Sequence, residues 1–389
     1  MIAWPELPLI EVARLIRGSE PGSVTYTDAL RGVPFLRVGD ITGKTDNPVY
    51  SDSSDLVLVS EEDVLLVLDG SPGHVSIGRR GAISSGIRKV EPITNKVSRA
   101  WLRYSLMSPA VQHTISRHTT GMTILHASSA VPYIIIFVPP LPEQERIVRT
   151  LDEADALSKL RAQVDRRMRD FIPALFHEMF GDPASNPKGW ALVELGEVCT
   201  EIYRYPTFYG FEYTKVGVSV ARIGNIHPNG FLDPDPSHYA FIDSVTNQKF
   251  PRTILELYDI VMAVRGDGST GKRIGLVGSS NLVGANISPN LLRFKADTKM
   301  IEPIYLFFLM ISIGGQFLVD RCITRTAKKT ITAKDIKNIR IPLPPLSDQY
   351  EFVARVAEAR FLEQAQAYTQ PRLDDLFQSL LHRAFQGEL

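Results

Sequence analysis

One stretch of this chain occurs twice. Val138-Pro139-Pro140-Leu141-Pro142-Glu143-Gln144-Glu145-Arg146-Ile147-Val148 returns 205 residues later as Leu343-Pro344-Pro345-Leu346-Ser347-Asp348-Gln349-Tyr350-Glu351-Phe352-Val353. At the same shift, Leu175, His177 and Phe180 fall on Leu380, His382 and Phe385. Earlier landmarks keep their order at a smaller shift, as loop insertions would produce. Trp4 to Val12 parallels Trp190 to Val198, Leu36-Arg37-Val38-Gly39-Asp40-Ile41 parallels Ala221-Arg222-Ile223-Gly224-Asn225-Ile226, and Asp63 to Gly70 parallels Asp259 to Gly266. Ordered landmarks along the whole chain mean a duplicated unit. A duplicated unit predicts a pseudo-twofold molecule, suited to a pseudo-twofold target.

Four segments follow from the periodicity. Residues 1–142 read as short strands with turn punctuation, as in Leu56-Val57-Leu58-Val59 and Val64-Leu65-Leu66-Val67-Leu68. Residues 143–181 read as one long helix. Pro142 stands at its first position, Glu143 and Glu145 sit at the positive end of its dipole, and Gly181 ends it. Its apolar stripe runs through Ile147, Leu151, Ala154, Leu157, Leu160, Val164, Met168, Phe171 and Leu175, mostly three or four apart. Pro173 should kink or interrupt it. Residues 182–346 repeat the strand-rich layout. Residues 347–389 repeat the helix, with Ser347 as N-cap, a second break at Pro371, and a stripe through Phe352, Val356, Leu362, Ala365, Leu373, Leu376, Leu380 and Phe385. The fold class is therefore α+β: two strand-rich domains related by a pseudo-twofold axis, with two long antiparallel, coiled-coil-like helices between them. A helix of about 38 residues is about 57 Å long, enough for a rigid spacer. The plainer alternative packs each helix on its own domain.

Composition narrows the class. Two cysteines, Cys199 and Cys322, are too few and too far apart for a disulfide scaffold or a structural zinc site, which fits a reducing compartment. No signal peptide is visible, and the most apolar run, Ile304 to Val319, is shorter than the ~20 residues of a spanning helix, so a buried core helix in a cytoplasmic protein is expected. Net charge is zero, which by itself speaks against a nucleic-acid partner. Its distribution does not. Between Arg79 and His118 stand Arg79, Arg80, Arg88, Lys89, Lys96, Arg99, Arg103 and Arg117 against Glu91 alone. Between Arg321 and Arg340 stand Arg321, Arg325, Lys328, Lys329, Lys334, Lys337 and Arg340 against Asp335 alone. Neutralising phosphate needs such a local patch rather than a basic whole, unless acids close in space compensate it.

Motifs that suggest chemistry fail on inspection. Gly266-Asp267-Gly268-Ser269-Thr270-Gly271-Lys272 begins like a phosphate-binding loop, but Arg273 occupies the Mg²⁺-ligand position, and Ile274-Gly275-Leu276 reads as a strand rather than a helix. A tight glycine turn flanked by Arg265, Lys272 and Arg273 is the better reading. Asp320 with Asp335 and Lys337 faintly resembles a nuclease triad, but the first copy has Ile115, Ala130 and Pro132 there. His113 and His118 lack metal-ligand spacing, and His177 and His382 read as partly buried helix residues. Glu61 and Glu62 have no acid–base partner that the sequence identifies, and the Asn-Pro-Pro-aromatic signature of adenine methyltransferases is absent. The chain reads as non-catalytic.

The order of a divergent strand-rich domain, a Pro-Pro-Leu-x-x-Gln entry, a long helix, and all of it again resembles the specificity (S) subunits of type I restriction–modification systems. The resemblance covers nearly the whole chain. Pro139-Pro140-Leu141-Pro142-Glu143-Gln144-Glu145 carries it most specifically, supported by the Arg-x-Gly-Asp/Asn-Ile segments and the ending Leu380 to Leu389. The second copy departs from the family pattern at Ser347, Asp348 and Tyr350. The resemblance implies target-recognition domains at 1–142 and 182–346, with spacer helices at 143–181 and 347–389. Each domain would read one half of a bipartite site in double-stranded DNA, and the helices would set the gap. Two methyltransferase subunits would dock on the helical region, and restriction subunits would join through the complex. S-adenosylmethionine, ATP and Mg²⁺ would be bound by those partners, with no cofactor or metal in this chain. Candidate DNA contacts, from local charge and repeat position, are Ser71, His74, Arg79, Arg80, Arg117, Thr119, Thr120, Arg265, Lys272, Arg273, Arg325, Lys328 and Lys329, within the glycine loops and the segments Thr119 to Met122 and Thr324 to Lys329. Candidate helix-packing and partner residues are Gln144, Ile147, Leu151, Leu157, Leu160, Gln349, Phe352, Val356 and Leu362. The competing reading is a repeat-built protein-interaction scaffold without DNA binding.

Overall fold

The computed structural model describes residues 4–45, 47–77, 79–204, 212–264, 273–322, 331–367 and 370–389. The chain divides into two compact units, residues 1–162 with 367–389 (unit 1) and residues 163–366 (unit 2). Both mix helix with sheet, and both are built to one plan.

In unit 1 a four-stranded antiparallel sheet runs in the order Ala13–Arg17, Ile87–Pro92, Val64–Val67, Val75–Ser76. In unit 2 the order is Cys199–Arg204, Leu291–Ala296, Ile260–Ala263, Ile274–Leu276. The strands Val64–Val67 and Ile260–Ala263 are apolar throughout and wholly buried. Their two-residue alternation explains why. Val64, Leu66 and Leu68 enter one core while Leu65 and Val67 enter another, and Ile260, Met262 and Val264 are separated from Val261 and Ala263 in the same way. Each strand is a wall between two cores, which requires apolar side chains on both faces. On the far side lies a second sheet. In unit 1 it centres on Val33–Leu36, which pairs in parallel with Gly81–Ile83. In unit 2 it centres on Val218–Ala221, which pairs in parallel with Asn286–Ile287. A short ribbon joins the start of each copy to the strand before its proline segment: Glu6–Pro8 with Ile135–Phe137, and Ala191–Glu194 with Arg340–Leu343.

Two helices follow the four-stranded sheet in each unit, Arg99–Met107 with Pro109–Arg117 and Pro303–Ile311 with Ile313–Asp320. The apolar run at Ile304 is thus two helices rather than one core helix. Ser312 breaks it, caps the second helix by accepting from Gly315 N, and the axes meet at 75°. Among the described residues no single helix is long and apolar enough to cross a membrane.

The long helix is Leu141–Phe180, 40 residues. Of the kink or interruption expected at Pro173, the interruption does not occur, and the helix runs on through it. Ile172, Leu175 and Phe176 beside the proline are buried in the unit 2 core, and that packing offsets the ~3 kcal/mol an interior proline costs. Its counterpart is Leu346–Ala367, followed by Gln370–Ala384, with Pro371 in the first turn of the latter. Ser347 is not the N-cap. It lies in the first turn, and the Pro345 carbonyl accepts the first N–H groups, as Pro140 does in the first copy.

The long helix is divided between the units, whereas Leu346–Ala367 belongs to unit 2 but for its last residue and Gln370–Ala384 belongs to unit 1. Ile147 and Leu151 pack in unit 1 with Phe377, Leu381 and Ala384 from the chain's last helix. Phe352, Val356 and Ala359 pack in unit 2 with Ile172, Phe176 and Phe180 from the end of the long one. In unit 1 the two partners run antiparallel: Arg146 bonds the Leu389 carbonyl while Ser158 bonds Asp374.

Candidate nucleic-acid interface

Half of the basic run in unit 1 is spent on structure. Arg88 is buried, 3.2 Å from Asp69 and bonded to Ser128 Oγ and the Ser85 carbonyl. Lys89 lies 3.1 Å from Asp63 and 3.0 Å from Glu91. Arg99 reaches Glu62, and Arg103, also buried, lies 2.6 Å from Asp155 and near Asp152. Burial alone would push Asp63 up, but the Ser60 N–H and hydroxyl and the Lys89 ammonium hold it below the usual carboxylate range. Apart from Glu91, the compensating acids come from the turns at the two ends of Val64–Val67 and from the long helix, so the linear run overstated the free charge. Arg79, Arg80, Lys96 and Arg117 are exposed.

Three loops of unit 1 meet at one corner. The first follows Arg37-Val38-Gly39-Asp40-Ile41. The Asp40 carboxylate accepts from the Arg37 backbone N–H at 2.9 Å and pairs with its guanidinium at 3.0 Å, fixing a short turn that ends at Gly43 with φ 72°. The second is the hairpin between Val64–Val67 and Val75–Ser76, turned at Gly70 and Gly73, both at positive φ. The third, residues 119–126, is pinned to the second: Gly70 N donates to Leu125 O at 2.8 Å, and His126 Nδ1 lies 2.8 Å from Asp69 Oδ1. Lys44 of the first loop donates to Ser71 Oγ at 3.2 Å, and Arg79 donates to the Asp40 carbonyl at 2.6 Å. His74 sits among them. Partial burial, with Arg79 and Lys44 nearby, lowers its pKa, so it is neutral at pH 7 and can both donate and accept. The corner therefore gathers Ser71, His74, Arg79, Thr119 and Thr120. Thr119 is half-buried and donates to the Ile115 carbonyl, while Thr120 is exposed. Arg117 ends the adjoining helix. Arg80 is exposed just beyond Arg79. Lys44 and His126 escaped the sequence reading. Lys44 stands outside the basic run and shows itself only by following the Arg-x-Gly-Asp turn.

Unit 2 repeats the frame. Asn225 Oδ1 accepts from Arg222 N at 2.9 Å, as Asp40 does from Arg37. Arg273 is exposed beside an open cleft of about 720 Å³ lined also by His227, Asn229, Ile274 and Ile311. His227 and His238 flank Asp233, with His238 Nδ1 at 2.6 Å. Arg265, Lys272, Arg325, Lys328 and Lys329, with the expected glycine turn, lie outside the described residues.

The repeated glutamine has a structural task. Gln144 is fully buried; its Oε1 accepts from Ser98 N at 3.0 Å, and its Nε2 donates to the Lys96 and Pro139 carbonyls. Gln349, equally buried, accepts from Glu302 N at 2.8 Å and donates to the Pro344 carbonyl. Each clamps the start of a core helix to the proline turn. Trp101 Nε1 donates to the Phe137 carbonyl and Tyr305 Oη to the Pro342 carbonyl, again equivalent positions. Ile147, Leu151, Phe352 and Val356 are likewise buried inside the units, whereas Leu157, Leu160 and Leu362 are exposed. His177 and His382 are exposed rather than partly buried, because the stripe at those turns is filled by Phe176 and Leu381.

Comparison with known proteins matches this duplicated architecture. The family model of the type I restriction modification DNA specificity domain matches residues 3–166 and again 187–358. The chain belongs to that family of specificity subunits, whose catalytic partners are other subunits of the restriction–modification system. It is 24% identical to the Type I restriction enzyme EcoBI specificity subunit of Escherichia coli, an alignment covering 100% of this chain and 86% of that protein. It is 26% identical to the Type I restriction enzyme MjaVIII specificity subunit of Methanocaldococcus jannaschii, covering 91% and 85%. The solved S subunit from M. genitalium shares the fold, with a TM-score of 0.57 at 14% identity, over 98% of this chain and 96% of that one. A chain from a structure describing complex assembly and conformational transition of the type I R-M system gives a TM-score of 0.58 at 19% identity, over 99% and 98%.

Proposed function

We propose that each unit reads one half of a bipartite DNA site, that the paired helices set the gap between the halves, and that two methyltransferase subunits dock on the helical region, with restriction subunits joining through them. One observation carries the reading: a single frame of hydrogen bonds is built twice, and in unit 1 it holds a loop corner that gathers exposed cations and polar side chains. In unit 1 that corner presents Lys44, Arg79 and Arg117 for phosphate, with Ser71, His74 and Thr120 as polar groups for base edges. S-adenosylmethionine, ATP and Mg²⁺ belong to the partner subunits, as does the chemistry, and the work is done in the cytoplasm where the DNA is. The exposed Leu157, Leu160 and Leu362 supply apolar surface for docking.

Reassembled with its methyltransferase partner, the chain should protect a split DNA site mapped from methylation of its genome. Inserting seven residues in each helix adds ~10.5 Å along an ideal helix axis, and the protected halves should move apart by about three base pairs. An unchanged gap would refute the ruler, and protection independent of sequence would refute the reading as a whole.

A further inference from the structure

The loop 119–126 of unit 1 ends in apolar side chains that stand exposed among the described residues. Met122 is 103% exposed, Ile124 56% and Leu125 40%. Such a tip is ordinarily a liability, because folding gains nothing from it. Here it is held out by a tight base. Thr120 and His126 exchange two backbone hydrogen bonds, at 2.9 and 2.8 Å. His126 is tied to Asp69, Leu125 O to Gly70 N, and the fully buried Ala127 donates to the Leu68 carbonyl. Gly121 turns the tip with φ 105°, where a Cβ would come within 2.1 Å of the Ile124 carbonyl oxygen. The hairpin is thus fixed at its root and apolar at its end.

Its surroundings are cationic. Lys44 and Arg79 are exposed on or beside the loops to which it is pinned, and Arg117 precedes it. The nearby acids are occupied: Asp69 by Arg88 and His126, Asp40 by Arg37 and Thr45. A rigid apolar point amid phosphate-binding cations suits one class of partner, a DNA duplex whose base steps can be parted by an apolar side chain while its backbone is held. We propose that Met122, supported by Ile124, is a wedge that enters one base step of the half-site read by unit 1, so that this half is recognised partly by how readily the step unstacks. In the second copy the same positions read Ala327-Lys328-Lys329, so the wedge belongs to one half-site only.

The inference rests on the DNA-reading function proposed above, and its test separates the two. The complex of this chain with its methyltransferase partners is bound to a duplex carrying the mapped site. 2-Aminopurine is placed in turn at each position of both halves except the methylated base, whose extrusion would give its own signal. The expected result is a fluorescence rise of about threefold or more at one step in one half. Met122→Ala should return it to the free-duplex level and weaken binding about tenfold, Met122→Leu should retain both, and the thermal midpoint of each variant should be unchanged. If Met122→Ala leaves the signal intact while the split site is still protected, the wedge is overturned and the reading stands. If Met122→Ala instead releases the methyltransferase, the tip is a protein contact and the wedge is overturned. If the unmodified complex protects no split site, both fall.

Discussion

Units 1 and 2 share a frame and differ in what they hang on it. The glutamine clamp, the aromatic donor to the ribbon strand and the carboxamide or carboxylate that closes the Arg-x-Gly turn occupy equivalent positions in both. Charges on the same strands are rearranged. The pair Lys89–Asp63 becomes Arg293–Asp259, at 2.7 Å, and the cross-strand neighbours Arg14 and Glu91 become Glu201 and Lys295, with the signs exchanged. A backbone hydrogen bond must be made whichever residue carries it, whereas a surface charge can change sign as long as a partner changes with it. Duplicated architecture can therefore persist while recognition chemistry drifts.

The two units should differ most at their buried ion pairs. Arg293→Met leaves Asp259 unpaired where both side chains are 3% exposed, and should cost unit 2 about 3–5 kcal/mol. Lys89→Met should cost unit 1 less, about 1–3 kcal/mol, because Lys89 is 17% exposed and water can reach what remains. Equal losses in denaturant titrations would mean that the pairs are equivalent in burial as well as in position.

The glutamine clamps should come next. Gln144→Leu and Gln349→Leu each leave a helix-start N–H and a proline carbonyl without their partner, at about 2–3 kcal/mol apiece. In a unit of this size that is roughly a 5–10 °C fall in the transition to which the unit contributes. A fall confined to one variant would show that the repeated motif does structural work in only one copy.

The smallest expected effect is in pH. Asp63 of unit 1 is held below its unfolded range, so its stabilisation is complete above about pH 5 and is lost as pH falls through its folded value. Burial pushes Glu302 of unit 2 up despite the Ile304 and Tyr305 N–H groups it accepts, so its contribution runs the other way: present at low pH and lost as pH rises. Acidification from pH 7 to 4 should loosen unit 1 before unit 2, and Asp63→Asn should flatten the fall in thermal midpoint over that range. A steeper fall in the variant would contradict the assignment.

Much of the fold was legible because duplication made it so. The shift of 205 residues carries Phe137 to Pro342, Ile147 to Phe352 and Phe180 to Phe385, and each pair performs one task in the structure. The site was less legible. Sequence could count the cations from Arg79 to Arg117, but not that Asp155, in the long helix, would claim Arg103, or that Asp63 would claim Lys89. Those acids arrive through tertiary contacts that no local pattern records. Lys44 joined the corner for the same reason. Pro173 does not end the helix because propensity weighs one residue while the core weighs its neighbours.

The division of the chain between the units sets the order in which their parts are made. Unit 2 is a continuous stretch, 163–366, and every residue of its core has been translated before the last helix is made. Unit 1 comes first in the message but is completed last, because Trp101 and Tyr104 pack against Phe385 and Phe377. Until those residues emerge, unit 1 is an unfinished sheet with an open aromatic core, and its completion closes a loop longer than all of unit 2. A released chain cut back to residue 366 would carry the whole core of the second half and an unfinished first.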